Sequence, residues 1–195
     1  MKNRAIMFAA IVLSLVAAIA GARAQTNDAT KQLARDIYMQ LVEINTTDSV
    51  GSTTVAAEAM ARRLSDAGFP ASDIYVGGPN SRKGNLVARL HGTGAHEPIL
   101  LIGHLDVVEA RREDWSMDPF QLIEKDGYFY GRGSMDMKSG DTFLLMAMIR
   151  MKQEGYKPDR DIILALTADE EGGAFNGVDW LIQKHRDLVD ADYVL

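Results

Sequence analysis

Two short runs of almost uninterrupted apolar residues place the strongest constraint on how this chain folds. They are Ile99–Gly103 (I-L-L-I-G) and Ile162–Ala168 (I-I-L-A-L-T-A). Apolar runs of this length, without alternating polar residues, are typical of strands that are buried on both faces. We therefore expect the central sheet to be covered by helices.

Helical periodicity, together with glycine and proline, delimits the remaining elements. Strands that alternate with helices indicate an α/β fold. The helix at Asp141–Met151 is apolar nearly all round, and we expect it to be buried. The predicted elements are helices at Lys31–Glu43, Thr53–Ala67 (capped by Ser52 or Thr53), Asp141–Met151 and Val178–His185, strands at Ile74–Val76, Asn85–Leu90 and Tyr193–Leu195, and a hairpin within Phe120–Phe129 that turns at Asp126-Gly127.

The N-terminus has the layout of a secretory signal peptide. Two basic residues precede an uncharged apolar run, Ala5–Ala20, and Ala22-Arg23-Ala24 supplies a small-x-small cleavage pattern. The alternative is a retained membrane anchor, but the run is shorter than the roughly 20 residues that a span requires. We therefore predict a signal peptide at residues 1–24, a catalytic-domain portion at residues 25–195, and a secreted or periplasmic location without a stable membrane span.

The composition excludes several kinds of chemistry. The chain has no cysteine, which rules out disulfides, thiolate catalysis and thiolate metal ligands. Its net charge is −6, and the predicted leader contributes three basic residues and no acidic ones, so the rest of the chain is more acidic still. We do not expect this chain to bind nucleic acid, because nucleic-acid-binding proteins usually present a basic surface.

The first of three polar clusters is His104-Leu105-Asp106, directly after the first apolar run. Ligands of open α/β sheets bind beyond the carboxyl ends of the strands. Residues two apart in an extended chain point to the same side, and a metal-binding imidazole usually donates its other N–H to a carboxylate. His104 and Asp106 are therefore a ligand and its orienting acid, or alternatively a strand-capping histidine beside a solvated acid.

The second cluster is the glycine-rich stretch that ends in Asp136, just before the predicted buried helix. Its glycines allow a tight backbone path near a ligand. Asp136 is either an N-terminal helix cap or a carboxylate that bridges two cations.

The third cluster is Asp169-Glu170-Glu171, which follows the second apolar run. Acids held this close repel one another, and a divalent cation relieves that repulsion. Adjacent side chains in an extended chain point in opposite directions, so one glutamate can bind metal while the other acts as a base. Oxygen-rich ligands with one histidine suit zinc, manganese or cobalt.

In these stretches the sequence resembles the zinc metallopeptidase family that contains aminoacylase, acetylornithine deacetylase, succinyl-diaminopimelate desuccinylase and glutamate carboxypeptidase. The resemblance covers roughly residues 31–195 and implies a mixed, mostly parallel sheet flanked by helices, as in the catalytic domain of zinc exopeptidases. The matching stretches are L-L-I-G-H-L-D-V-V (Leu100–Val108), W-S-M-D-P-F (Trp115–Phe120), D-G-Y-F-Y-G-R-G-S-M-D-M-K (Asp126–Lys138) and T-A-D-E-E-G-G (Thr167–Gly173).

The resemblance implies a role for each site residue. His104 is a ligand of one zinc, Asp106 orients that histidine, and Asp136 bridges both metals. Glu170 is the general base, which takes a proton from the attacking water and passes it to the leaving nitrogen. Glu171 is a ligand of the second zinc. The implied reaction is hydrolysis of amide bonds in small peptides or N-acyl amino acids.

The family pattern also requires parts that this sequence does not contain. They are a carboxylate just after the strand at Tyr193–Leu195, a histidine nearer the C-terminus, and an inserted lid domain that often supplies a homodimer interface. The sequence also stops inside an apolar strand. We therefore expect it to be the N-terminal portion of the catalytic domain, and alone to bind metal weakly and turn over little. The alternative is a non-catalytic fragment or binding relative of the same fold.

Overall fold

The computed structural model describes residues 28–195, so the signal peptide predicted at residues 1–24 lies outside the described residues. The described residues divide into two units, residues 28–36 and Ile37–Leu195. Helix α1 covers residues 28–43, in agreement with the helix predicted there. No helix among the described residues is long and apolar enough to cross a bilayer.

A five-stranded mixed sheet forms the centre of the second unit. Its strands are β1 (Ile74–Gly77), β2 (Asn85–Leu90), β3 (His96–His104), β6 (Arg160–Thr167) and β7 (Tyr193–Val194), and a separate hairpin consists of β4 (Ile123–Lys125) and β5 (Tyr128–Tyr130). The order is β1-β2-β6-β3-β7. The pairs β6–β3 and β3–β7 are parallel, whereas β1–β2 and β2–β6 are antiparallel. The predicted mixed sheet and the hairpin are both present.

Helices flank this sheet, which confirms the predicted fold class. Their bounds are α2 (Thr53–Asp66), α3 (Lys138–Gln153), α4 (Gly177–Lys184) and α5 (Arg186–Val189). Helix α2 contacts β1 and β2, and α3 contacts β3 and β6. Leu181 of α4 packs in one cluster with Val87 and Ile163 of the sheet. The alternating residues Leu86 and Leu164 point to the other face and are fully buried as well. Both faces of the central strands are therefore covered.

Two apolar segments are more exposed than the sequence predicts. Helix α3 is expected to be buried all round, but Phe143 is 72% exposed because only part of the helix surface faces the sheet. The strand at Tyr193–Leu195 is expected to be buried, but β7 lies at the edge of the sheet and Val194 is 59% exposed. Apolarity alone does not distinguish a central strand from an edge strand.

The predicted side-chain cap of α2 is wrong. Ser52 occupies the cap position, but no side chain caps the helix. The hydroxyls of Ser52 and Thr53 instead donate to the carbonyl of Arg82. Helix α4 does have such a cap, because the Asn176 side chain accepts from Asp179 N at 3.1 Å.

Candidate metal centre

The sheet brings the first and third polar clusters together at one edge. Strands β3 and β6 run parallel, and the register places His104 beside Thr167, the last residue of β6. Asp106 follows β3, and Glu170 and Glu171 follow β6. The predicted position at the carboxyl ends of the strands is therefore correct.

The two nitrogens of the His104 ring face different partners. His104 is 6% exposed. Its Nδ1 lies 3.2 Å from the carbonyl of Asp106 and 3.6 Å from Asp106 Oδ1. Its Nε2 lies 3.2 Å from Asp136 Oδ1 and 3.6 Å from Glu170 Oε2. An Nδ1–H that donates to Asp106 leaves the Nε2 lone pair directed at the other carboxylates, as in a metal-binding histidine.

The charges around His104 favour a cation at this position. Burial lowers the pKa of His104, but hydrogen bonds to Asp106 and the charges of Asp106 and Asp141 outweigh burial and raise it to about 9. Burial raises the pKa of Asp106, but bonds from His104 and from the amides of Glu171 and Glu170 hold it below its ordinary value. A proton and a metal ion compete for the same Nε2 lone pair, so these carboxylates favour metal binding as well.

Asp106 has a second role that sequence reasoning missed. Its Oδ1 accepts from Glu170 N at 3.1 Å, and its Oδ2 accepts from Glu171 N at 2.9 Å. One buried carboxylate therefore contacts the His104 ring and also fixes the two peptide groups that carry the glutamates.

Asp136 is not the cap of the following helix. Met137 occupies the cap position, and the Asp136–Met137 peptide bond is cis. The turn before Asp136 depends on Gly133, which has a φ of 73° and lies against Val107. The side chain of Asp136 is 75% exposed and points its Oδ1 at His104. Of the two alternatives for Asp136, the helix cap is thus contradicted.

Glu170 and Glu171 both face the ligand cluster, contrary to the expectation that adjacent side chains diverge. That expectation applies to extended chain, but β6 ends at Thr167 and Asp169 has a left-handed φ of 56°. Ligand atoms of His104, Asp136 and Glu171 all lie within 4.8 Å of one another. Burial and the negative charges of Asp136, Glu170 and Asp106 raise the pKa of Glu171, whereas His104 opposes the rise.

The donor set fits zinc. One imidazole nitrogen and carboxylate oxygens are ligands that zinc accepts, with bonds of about 2.0 Å. A cavity of about 320 Å³ adjoins the ligands, and Glu171 and Asp169 line it.

Three charged residues beside the site are buried, and their contacts could not be predicted from the sequence. Lys83 is 3% exposed and pairs with Asp48 and Asp169. Lys138 is fully buried and donates to the carbonyl of Ile44 at 2.9 Å, and burial lowers its pKa to about 7. Asp141 is also fully buried, and neither of its carboxylate oxygens has a hydrogen-bond partner among the described residues.

Comparison with known proteins reveals a similarity to one peptidase family. Residues 100–195 match the profile of peptidase family M20/M25/M40. The succinyl-diaminopimelate desuccinylase of Delftia acidovorans is 39% identical over 132 residues, which are 67% of this chain and 34% of that enzyme. The predicted resemblance to the zinc metallopeptidases is therefore confirmed.

Solved structures of two dipeptidases share the fold. Human carnosine dipeptidase 1 superposes with a TM-score of 0.68 at 23% identity, over 87% of this chain and 39% of the dipeptidase. The dipeptidase Dug1p of Saccharomyces cerevisiae also gives a TM-score of 0.68, at 24% identity over 85% of this chain and 38% of its own. The chain thus spans 34–39% of the length of these three proteins.

Proposed function

We propose that the full-length protein is a two-zinc hydrolase of amide bonds in small peptides or N-acyl amino acids. The observation that carries the proposal is the convergence of His104, Asp136 and Glu171 ligand atoms within 4.8 Å, in a segment of a peptidase family. The relatives are named for both kinds of amide substrate, a succinylated amino acid and dipeptides. These names support the substrate class.

In this proposal each ligand side chain has one place. His104 Nε2 would hold the first zinc, Glu171 would hold the second, and Asp136 would be a ligand shared by both. Cobalt or manganese also suits such donors. A bound divalent cation supplies the Lewis acidity that amide hydrolysis needs.

Glu170 is the proposed general base. Its carboxylate is 58% exposed and lies 3.6 Å from His104 Nε2, so it is close to the ligands yet accessible to substrate. It takes a proton from the attacking water and delivers it to the leaving nitrogen. Asp106 holds the His104 ring and the amides of both glutamates, which keeps the base at a fixed distance from the ligands.

The test is Glu170→Ala in the full-length protein. We expect amide hydrolysis, measured on a panel of dipeptides and N-acyl amino acids, to fall about 100- to 10 000-fold while zinc content stays at the wild-type level. Glu58→Ala, at an exposed position on α2, is the matched control. Normal activity would refute the base assignment, and loss of zinc together with activity would identify Glu170 as a ligand instead.

We also propose that the protein is exported and that its leader is removed after Ala24. The support is the charge and apolar pattern of residues 1–24. Mass spectrometry of the exported protein should find Gln25 at the N-terminus. Recovery of intact Met1 in the membrane fraction would favour the anchor.

A further inference from the structure

We propose that Lys83, which binds no metal, is a positioning residue for Glu170 and Glu171. This inference rests on the proposed function, which assigns Glu170 as the general base and Glu171 as a metal ligand. The ammonium of Lys83 holds the carboxylate of Asp169, and Asp169 shapes the turn that carries both glutamates.

Lys83 is a buried cation between two carboxylates. Its Nζ donates to Asp48 Oδ1 at 2.6 Å and also to Asp169 Oδ1. The side chains of Lys83 and Asp169 are 4% and 1% exposed, whereas that of Asp48 is 62% exposed. A buried charge is stable in a protein only when it is paired, so Lys83 and Asp169 depend on each other. Burial lowers the pKa of Lys83, but its bonds to Asp169 and Asp48 outweigh burial and raise it above its usual value.

Asp169 organises the turn after β6. Its backbone is left-handed, with a φ of 56°. Its Oδ2 accepts from Phe175 N at 3.2 Å, and its carbonyl accepts from Asn176 Nδ2 at 3.2 Å. A Cβ at Gly173 would overlap this carboxylate, which shows how tightly the turn closes around it. The carboxylate of Asp169 thus lies in the middle of the turn that residues 169–176 form.

The sheet topology explains how Lys83 reaches this turn. Strand β2 is antiparallel to β6, and Leu86 pairs with Leu166, so the start of β2 lies beside the end of β6. Lys83 comes just before β2. Asn85, the first residue of β2, accepts from Ala168 N at 2.9 Å through its side chain. Lys83 and Asn85 therefore both bind this turn from the start of the neighbouring strand β2.

The contact between Lys83 and Asp169 affects the two glutamates through their peptide groups. Glu170 N and Glu171 N donate to Asp106 at 3.1 and 2.9 Å, and this alignment requires the turn at Asp169. Without Lys83, the Asp169 carboxylate would be buried without a cation near the charges of Asp106 and Glu171. We expect the turn, no longer held by the ammonium group of Lys83, to shift and to break the two amide bonds to Asp106.

The experiment compares Lys83→Met and Lys83→Arg in the full-length protein with Lys184→Met, an exposed control. Hydrogen exchange of the Glu170 and Glu171 amides reports the position of the turn without any need for activity or metal. We expect Lys83→Met to lose protection at these amides and Lys83→Arg to keep it. In the zinc-loaded enzyme, kcat of Lys83→Met should fall about 10- to 100-fold, as for other groups that orient active-site residues. Its KM should change less than about threefold, because Lys83 does not touch substrate.

A double variant separates positioning from simple charge neutralisation. Lys83→Met with Asp169→Asn removes both buried charges, so its thermal midpoint should recover even if Lys83→Met folds poorly. We expect its Glu170 and Glu171 amides to stay unprotected and its kcat to stay low. Full recovery of kcat in the double variant, or wild-type exchange and kcat in a folded Lys83→Met, would overturn the positioning role. An inactive wild type would instead count against the proposed function, and the exchange measurement would still decide the role of Lys83.

Discussion

Substitution of Gly103 by alanine tests how closely the residues behind His104 are packed. Gly103 is the penultimate residue of β3. A Cβ at this position would overlap Asp141 Oδ1, much closer than the 3.0 Å that real Cβ atoms keep. It would also lie 3.1 Å from Met137 Cε and 3.3 Å from Leu166 Cδ2. Three side chains therefore close the space that the missing Cβ leaves.

The expected cost follows from these neighbours. The carboxylate of Asp141 is fully buried, so it is enclosed by other protein atoms. Addition of a methyl group to a filled core costs about 1–3 kcal/mol. We expect Gly103→Ala to lower the free energy of unfolding by that amount, since either the buried Asp141 side chain or the backbone of β3 must shift.

Urea denaturation of the full-length protein measures this cost. Gly140→Ala is the matched control, because Gly140 lies in α3 and its added Cβ would meet only the flexible side chain of Met137. That variant should gain about 0.5–1 kcal/mol from helix propensity. In an Asp141→Ala background, Gly103→Ala should be tolerated, with a coupling energy of about 1 kcal/mol or more. Equal costs of Gly103→Ala in both backgrounds would refute this packing argument.

Two further predictions concern the metal and the pH dependence of stability. Zinc should raise the thermal midpoint of the metal-free full-length protein in scanning fluorimetry, and a chelator should reverse the rise. The variant His104→Ala should show no such rise. An undiminished rise in that variant would contradict the assignment of His104 as a ligand. Asp161→Asn should lower the free energy of unfolding by about 1.5–3 kcal/mol at neutral pH, because the carboxylate accepts from Gly92 N at 2.8 Å and Arg89 at 3.0 Å. Burial raises the pKa of Asp161, but these bonds outweigh burial and lower it below 3.8. The stabilisation is therefore present above that value and lost as the pH falls through the lower folded pKa, so urea curves of wild type and Asp161→Asn should converge in strong acid.

The general architecture could be predicted because its signals are local. The apolar run Ile99–Gly103 lies within strand β3, and all of the run Ile162–Ala168 except its last residue lies within β6. Their chemistry-bearing neighbours could be placed at one edge because ligands of such sheets bind beyond the carboxyl ends of the strands. The turn at Asp126-Gly127 could be predicted as well, since both residues have a positive φ that suits a two-residue hairpin loop.

The features that could not be predicted depend on the residue at which a strand ends and on contacts between residues far apart in the sequence. Alternation could not orient Glu170 and Glu171, because the backbone is no longer extended after Thr167. Lys83 looks like an ordinary residue of a polar loop, and only the β2–β6 pairing brings it to Asp169, 86 positions away. A single sequence contains no periodic pattern that reports such a contact.

The bonds of Asp106 have a consequence for attempts to graft this site onto another scaffold. A design that copied only the metal-binding side chains would lose the connection between them, because Asp106 contacts the His104 ring and accepts from two peptide amides. An asparagine at this position would turn an NH₂ group towards one of those N–H donors. The transplantable unit is therefore the end of β3, the turn after β6 and the carboxylate that joins them.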